Sequence, residues 1–314
     1  MRIVFCGTPE FAVPSLRRLI AEPGFMVKAV VTQPDRPRGR GQKIGSSPVK
    51  EAALEAGLHV YQPEKIRSES AQEFFNRMAL DAVVIIAYGQ IIPAPLLDLP
   101  RLGWINLHAS LLPHYRGAAP INWAIVNGDT HTGLTTMRID AGMDTGPTLL
   151  KRDITIGPNE TAPELAYRMA EAGAPMMVET LTRYDRGEIN PMPQKDSEAT
   201  LAPMLRKDDG RINWRWHSHK IYDRIRGLEP WPGAFSNFRG QLCHLWGVPA
   251  VPHANFTGHA KPGQIIEVGK EIRVACGERS WLKLESVRLE GRKRVSARDF
   301  VNGARLVAAE QFSG

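Results

Sequence analysis

The feature that most constrains the fold is a run at residues 82–87, AVVIIA, which offers no polar position on either face. A strand of that kind is covered from both sides, as in a parallel sheet sheathed by helices. Short apolar runs at 2–6, 25–32, 58–60 and 104–108 alternate with helical patterns. These open at Pro9 and run through Leu19, open at Ser47-Pro48 and run to Ala56, and cover 68–79. Proline and serine are favoured at helix starts because the first turn has N–H groups without intrahelical partners. The alternation predicts an α/β fold with a Rossmann-like, mainly parallel sheet. A helix over 119–127, two strands at 133–139 and 147–156 forming an antiparallel edge, and one long helix over 161–186 complete this part.

The texture then changes. Residues 190–206 carry three prolines and no sustained period. They read as a linker between a domain at 1–189 and another at 207–314. Beyond the linker a helix fits 217–227. Strand-like pieces follow at 234–239, 241–248, 264–268, 271–276 and 280–289, separated by glycine and proline. Such a series predicts a small C-terminal OB-like β-barrel.

Of 314 residues, 43% are hydrophobic and 23% charged, which suits a globular chain with a real core. No apolar run reaches the roughly 18–20 residues of a membrane span. Cys6, Cys243 and Cys276 stand alone, which excludes a disulfide scaffold and predicts small buried apolar groups. The chain runs from Met1 straight into Ile3-Val4-Phe5 without a leader pattern, so a reduced, cytoplasmic setting is expected. The net charge of +7 lies wholly in the last third: from Arg206 onward there are 19 basic and 11 acidic residues. A basic surface attracts phosphate backbones by releasing their counterions.

Two nucleotide-binding signatures fail. Gly7-Thr8-Pro9-Glu10-Phe11 follows the first strand but lacks G-x-G-x-x-G, and Gly39-Arg40-Gly41-Gln42-Lys43 lacks the spacing of a phosphate loop. The stretch 34–43, PDRPRGRGQK, has four basic residues, one acidic residue, and prolines and glycines that exclude a stable helix or a buried strand. It predicts a mobile basic loop near the C-terminal ends of the first two strands, the edge where open α/β sheets take ligands. Asn106 and His108, two apart in a strand, share one face and interrupt the apolar alternation. Asp144 lies in a loop framed by Gly142 and Gly146. Taken singly, each of the three suits a packed core or a turn equally well. Together they offer an oxyanion donor, a proton acceptor and a group that tunes it. No residues stand at metal-ligand spacing, and His217-x-His219 has no partners. Trp214, Trp216, Trp231, Trp246 and Trp281 read as core packing.

With these residues on the page, the chain resembles the methionyl-tRNA formyltransferase family over nearly its whole length. The resemblance rests on Gly7-Thr8-Pro9-Glu10-Phe11, Thr32-Gln33-Pro34-Asp35-Arg36-Pro37 with Gly39-Arg40-Gly41, and Ala87-Tyr88-Gly89. It continues in Asn106-x-His108-x-Ser110-Leu111-Leu112-Pro113, Tyr115-Arg116-Gly117-Ala118-Ala119-Pro120-Ile121 and Met143-Asp144-Thr145-Gly146. It implies transfer of a formyl group from 10-formyltetrahydrofolate to methionyl initiator tRNA, with no metal. Asn106, His108 and Asp144 are then catalytic. Ser110, Leu111, Leu112 and Pro113, the backbone of Ala87, Tyr88 and Gly89, and Asp140 are expected at the folate. Arg36, Arg38, Arg40, Lys43, Lys207 and Arg211 are expected at the tRNA, with Arg215 and the run Arg292-Lys293-Arg294 as further phosphate contacts. The expected working unit is a monomer without a membrane partner. The alternative is another folate-dependent formyltransferase acting on a ribonucleotide amine or an amino sugar nucleotide, which would not need the basic last third.

Overall fold

The computed structural model describes residues 1–38, 43–251, 260–267, 271–307 and 310–313. Two compact units are present. The first is Met1–Pro120 with His131–Thr155 and Leu165–Pro203; the second is Ile121–Thr130 with Ile156–Glu164 and Met204–Gly314. In chain order the elements to residue 185 begin with β1 (Arg2–Gly7), α1 (Val13–Ala21), β2 (Met26–Val31), β3 (Arg36–Arg38), β4 (Lys43–Gly45), α2 (Pro48–Glu55) and β5 (Val60–Tyr61). They continue with α3 (Glu69–Asn76), β6 (Ala82–Ile86), α4 (Ala94–Leu97), β7 (Trp104–His108), α5 (Pro120–Val126), β8 (His131–Arg138), β9 (Thr148–Thr155) and α6 (Ala162–Asp185).

In the first unit one sheet has the order β5-β2-β1-β6-β7-β8-β9. The five strands from β5 to β7 are parallel, and β8 and β9 form the expected antiparallel edge. The order runs outward from β1 in both directions. The gap between β1 and β6 is therefore a switch point, where the connecting chain leaves on opposite sides and opens a crevice at the strands' carboxyl ends. All of β6 is buried, as its composition demands, and so are Ile3, Val4, Phe5 and Cys6 of β1. Along β7 only Asn106 is partly exposed.

Two local differences from the sequence reading have physical causes. The helix expected to open at Pro9 starts at Val13, and Glu10–Ala12 form a single 3-10 turn. Pro14, which has no N–H, fits only a first helical turn and so sets the start. The expected loop at 34–43 holds a two-stranded ribbon, β3 with β4, in the register Arg36↔Gly45 to Arg38↔Lys43. Composition excluded a helix and a buried strand, and a ribbon off the main sheet is neither. Arg38 and Lys43 are placed here by their backbone, and Arg40 lies outside the described residues.

The helix α2 shows how the frame is pinned. Ser47 caps it by accepting from the Lys50 N–H at 3.1 Å, and its hydroxyl also meets that of Thr32, just beyond β2, at 2.7 Å. Ser47→Ala is expected to lower stability by about 1–2 kcal/mol, from the lost cap and the stranded Thr32 hydroxyl. Denaturant unfolding of the whole chain measures it.

The second unit contains α7 (Ser218–Gly227), β10 (Phe235–Phe238), β11 (Gln241–Ala250), β12 (Ile265–Glu267), β13 (Ile272–Ala275), β14 (Trp281–Leu289), β15 (Val295–Ser296), α8 (Ala297–Ala304) and β16 (Phe312–Ser313). Six strands follow the order β12-β13-β14-β11-β10-β16, and an antiparallel bridge between Gln264 and Gln311 nearly closes the barrel. The first five match the expected pieces. The sixth, β16, has only two residues and carries no strand signal, but Phe312 is buried against Phe238 and Trp214. Trp214 and Trp281 are core residues, as expected; Trp231 is 56% exposed and is not. Its neighbours Pro230 and Pro232 keep that stretch out of any helix or strand that could carry the ring inward. All three cysteines are free and buried, and burial pushes the Cys243 and Cys276 thiols up to about 12.

Candidate active site

The central residues come from two stretches far apart in sequence. β7 carries Asn106 and His108 on one face, two residues apart at the strand's carboxyl end. His108 is buried, with its Nε2 2.9 Å from the carbonyl oxygen of Tyr115. A carbonyl only accepts, so this contact assigns the proton to Nε2 and leaves Nδ1 as the free ring nitrogen. Nδ1 lies 3.6 Å from Oδ2 of Asp144. The same Oδ2 accepts from the Gly117 N–H at 2.9 Å. Imidazole and carboxylate therefore meet. The Asn106 amide stands on the His108 face and makes no hydrogen bond with other described residues.

The loop that brings Asp144 in is folded by its own polar groups. Asp140 Oδ1 accepts from the Gly142 N–H at 3.0 Å and from the Thr145 hydroxyl at 2.7 Å. Glycine is required at 146, because a Cβ there would collide with the Arg138 carbonyl oxygen. At 117 the backbone is left-handed with φ +121°, and a Cβ would stand 2.7 Å from the Ala202 oxygen. Asp144 (φ 54°), Tyr115 (φ 60°) and Ala87 (φ 47°) are non-glycine residues in the left-handed region. Each carries local strain of about 1 kcal/mol or more, which the surrounding contacts must hold in place.

The other expected residues divide by what they expose. Ser110, Leu112 and Pro113 are buried. The Ser110 hydroxyl donates to His114 O at 2.5 Å, the Ser110 carbonyl accepts from Thr135, and the Leu112 carbonyl accepts from Lys151. This turn braces the end of β7, and only Leu111 is partly exposed. Tyr88 turns its ring into the core, and burial pushes its hydroxyl well above the usual tyrosine range. Its carbonyl accepts from Thr8 and Gln33. A cavity of about 680 Å³ opens beside Gly89 at the carboxyl ends of β1, β2 and β6, lined among others by Thr8, Gln33, Arg36, Lys65 and Arg67. Asn106, His108 and Asp144 are not among its lining residues. Arg36, expected at tRNA, is. Lys65 and Arg67 were missed; their signal was two cations following β5. Lys207 and Arg211 are exposed in the second unit, where Arg211 lies 5.3 Å from the Phe235 ring centre.

Arg116 and Gln194 were not singled out for function. Arg116 is 7% exposed and donates to Gln194 Oε1 from Nε at 3.1 Å and Nη2 at 2.8 Å, and to Asp196 Oδ1 at 2.8 Å. Gln194 Nε2 donates to the carbonyls of Asp144 at 2.8 Å and Gly146 at 2.7 Å. Among the described residues no group of three His, Cys, Asp or Glu is placed to hold a metal ion, and no helix is long and apolar enough to cross a membrane.

Comparison with known proteins adds the class. Residues 1–181 match the formyl transferase family, and residues 204–305 match the formyl transferase C-terminal domain. In fold the chain is similar to a sugar 3N-formyl transferase, WlaRD, at TM-score 0.66 and 18% identity, covering 93% of this chain and 99% of that one. It is also similar to a methionyl-tRNA formyltransferase from Clostridium thermocellum, at TM-score 0.57 and 18% identity, covering 81% and 95%. Sequence likeness is much higher to the methionyl-tRNA formyltransferase of Solibacter usitatus, 54% over 99% of this chain and 98% of the relative. That of Geobacter metallireducens is 49% identical over 98% and 96%. The chain belongs to the methionyl-tRNA formyltransferase branch of the formyl transferase family.

Proposed function

We propose that this enzyme transfers a formyl group from 10-formyltetrahydrofolate to the α-amino group of methionyl initiator tRNA. The carrying observation is the near-full-length identity of about half to relatives of that name, joined to a His108–Asp144 pair at the carboxyl end of β7. The folate supplies the formyl group. A cavity of about 680 Å³ is of the size that small-molecule sites occupy, and its Arg36, Lys65 and Arg67 suit an anionic ligand such as folate's glutamate. The exposed backbone at Ala87 and Gly89, with the loop from Asp140 to Asp144, would face the pterin.

Formyl transfer builds negative charge on the formyl oxygen and leaves the attacking nitrogen with a proton to lose. The Asn106 amide bonds to none of the described residues and is the donor for that oxygen. His108, its Nε2–H held by Tyr115, presents Nδ1 as the site that would take the amine's proton and return it to N10 of the folate as the bond from N10 to the formyl carbon breaks. Asp144 faces that nitrogen and stabilises the imidazole once it is charged.

Catalysis falls within residues 1–189, and tRNA binding draws on residues 207–314, where the excess positive charge lies. Three buried thiols suit a reducing cytoplasm. The test is direct: supply 10-formyltetrahydrofolate and charged initiator tRNA and follow formyl transfer. Formylation of small amines without tRNA turnover would favour the alternative, to which the sugar formyltransferase fold gives a precedent. RNA binding without any turnover would exclude both. Arg40→Ala is expected to leave the folate KM unchanged. It should reduce the slope of log(kcat/KM) for tRNA against log salt by about 1, as for one lost phosphate contact.

A further inference from the structure

We propose that Gln194 is a positioning residue that holds Asp144 in line with His108, an assignment that rests on the catalytic reading above. Gln194 lies between the stretches that match the two family domains, in the proline-containing segment that reads as a linker. Its carboxamide is nevertheless committed at both ends. The two N–H groups span the turn of the catalytic loop by reaching the carbonyls of Asp144 and Gly146, and the oxygen takes both donors from buried Arg116. The orientation is fixed by chemistry: a reversed amide would set oxygen against two carbonyls and N–H groups against a guanidinium. Arg116 is itself fastened through its backbone, by its N–H to the Thr200 carbonyl at 2.9 Å and by its carbonyl to the Ala202 N–H at 2.7 Å.

The need for such a hold is visible at Asp144. Its backbone is left-handed, which a residue with a Cβ does not favour, yet its carboxylate must meet both the Gly117 N–H and the His108 ring. Arg116 precedes Gly117 directly. Gln194 therefore ties the backbone of the carboxylate's own loop to the backbone that supplies its N–H partner. Released, the loop loses two bonds, and a displacement of about 1 Å at a reacting group can slow turnover by as much as a hundredfold.

The experiment is a double-mutant cycle on the full chain, with Gln194→Leu and Asp144→Ala alone and combined, measuring kcat and both KM values for formyl transfer. Gln194→Leu is expected to lower kcat by about tenfold or more while each KM stays within about twofold, and to have almost no further effect when Asp144 is already alanine. Gln194→Glu, which keeps an acceptor for Arg116 but loses both donors, should reproduce the kcat loss. It also serves if the leucine variant fails to fold. Unchanged kcat in either folded variant, or a Gln194→Leu effect that persists in full without the Asp144 carboxylate, would overturn the assignment. Absence of turnover in the parent chain would instead overturn the catalytic reading, and this assignment with it.

Discussion

His108→Ala is expected to reduce kcat by at least about a hundredfold, because in the proposed reaction the imidazole takes the proton that leaves the attacking amine. The geometry makes the role specific. Tyr115 O anchors one ring nitrogen at 2.9 Å, Asp144 faces the other at 3.6 Å, and the ring is 5% exposed. The substitution also removes the Nε2–H donor that meets the Tyr115 carbonyl, which lowers stability by about 1 kcal/mol. Rates should therefore be compared well below the melting transition of the variant. His108→Gln separates two roles. It keeps a donor within the ring's reach of Tyr115 but cannot cycle a proton. It should be as inactive as alanine under single-turnover conditions. Turnover near that of the parent in the glutamine variant would show that His108 only braces the Tyr115 turn.

The frame of the molecule was legible wherever a short-range signal existed. The run at 82–87 announced a central parallel strand, and period-two spacing put Asn106 and His108 on one face. Asp144 was weaker, since aspartate in a turn is common, and only resemblance joined it to His108. What escaped the sequence was set at long range. β16 is two residues long and is defined by what Phe312 packs against, not by propensity. The ribbon at β3 and β4 pairs residues whose composition reads as loop. Ser110 to Pro113 stood out as a motif, but three of the four are buried and their polar groups turn inward to shape the end of β7. Gln194 sits 50 residues from Asp144, and nothing in NPMPQKD says which carbonyls its amide meets. A motif marks where a backbone is constrained; it does not say whether the constraint serves a ligand or the loop beside it.

Asn106→Ala should lower kcat by about 10²–10³, the loss typical of one preorganised donor at a developing oxyanion and equivalent to about 3–4 kcal/mol of barrier. Folding should be nearly indifferent, within about 0.5 kcal/mol, because the amide is partly exposed and bonds to none of the described residues. That combination separates a catalytic donor from a structural asparagine, whose loss would appear first in the melting curve. Asn106→Asp sharpens the test. It preserves size and shape but replaces the donor with a negative charge next to the oxygen that is itself becoming negative. If the amide acts by donation, aspartate must be worse than alanine, since like-charge repulsion is added to the missing bond. If aspartate instead retains more activity than alanine, side-chain volume rather than hydrogen bonding is what position 106 contributes. The strand would then supply His108 with a neighbour, not the reacting oxygen with a partner.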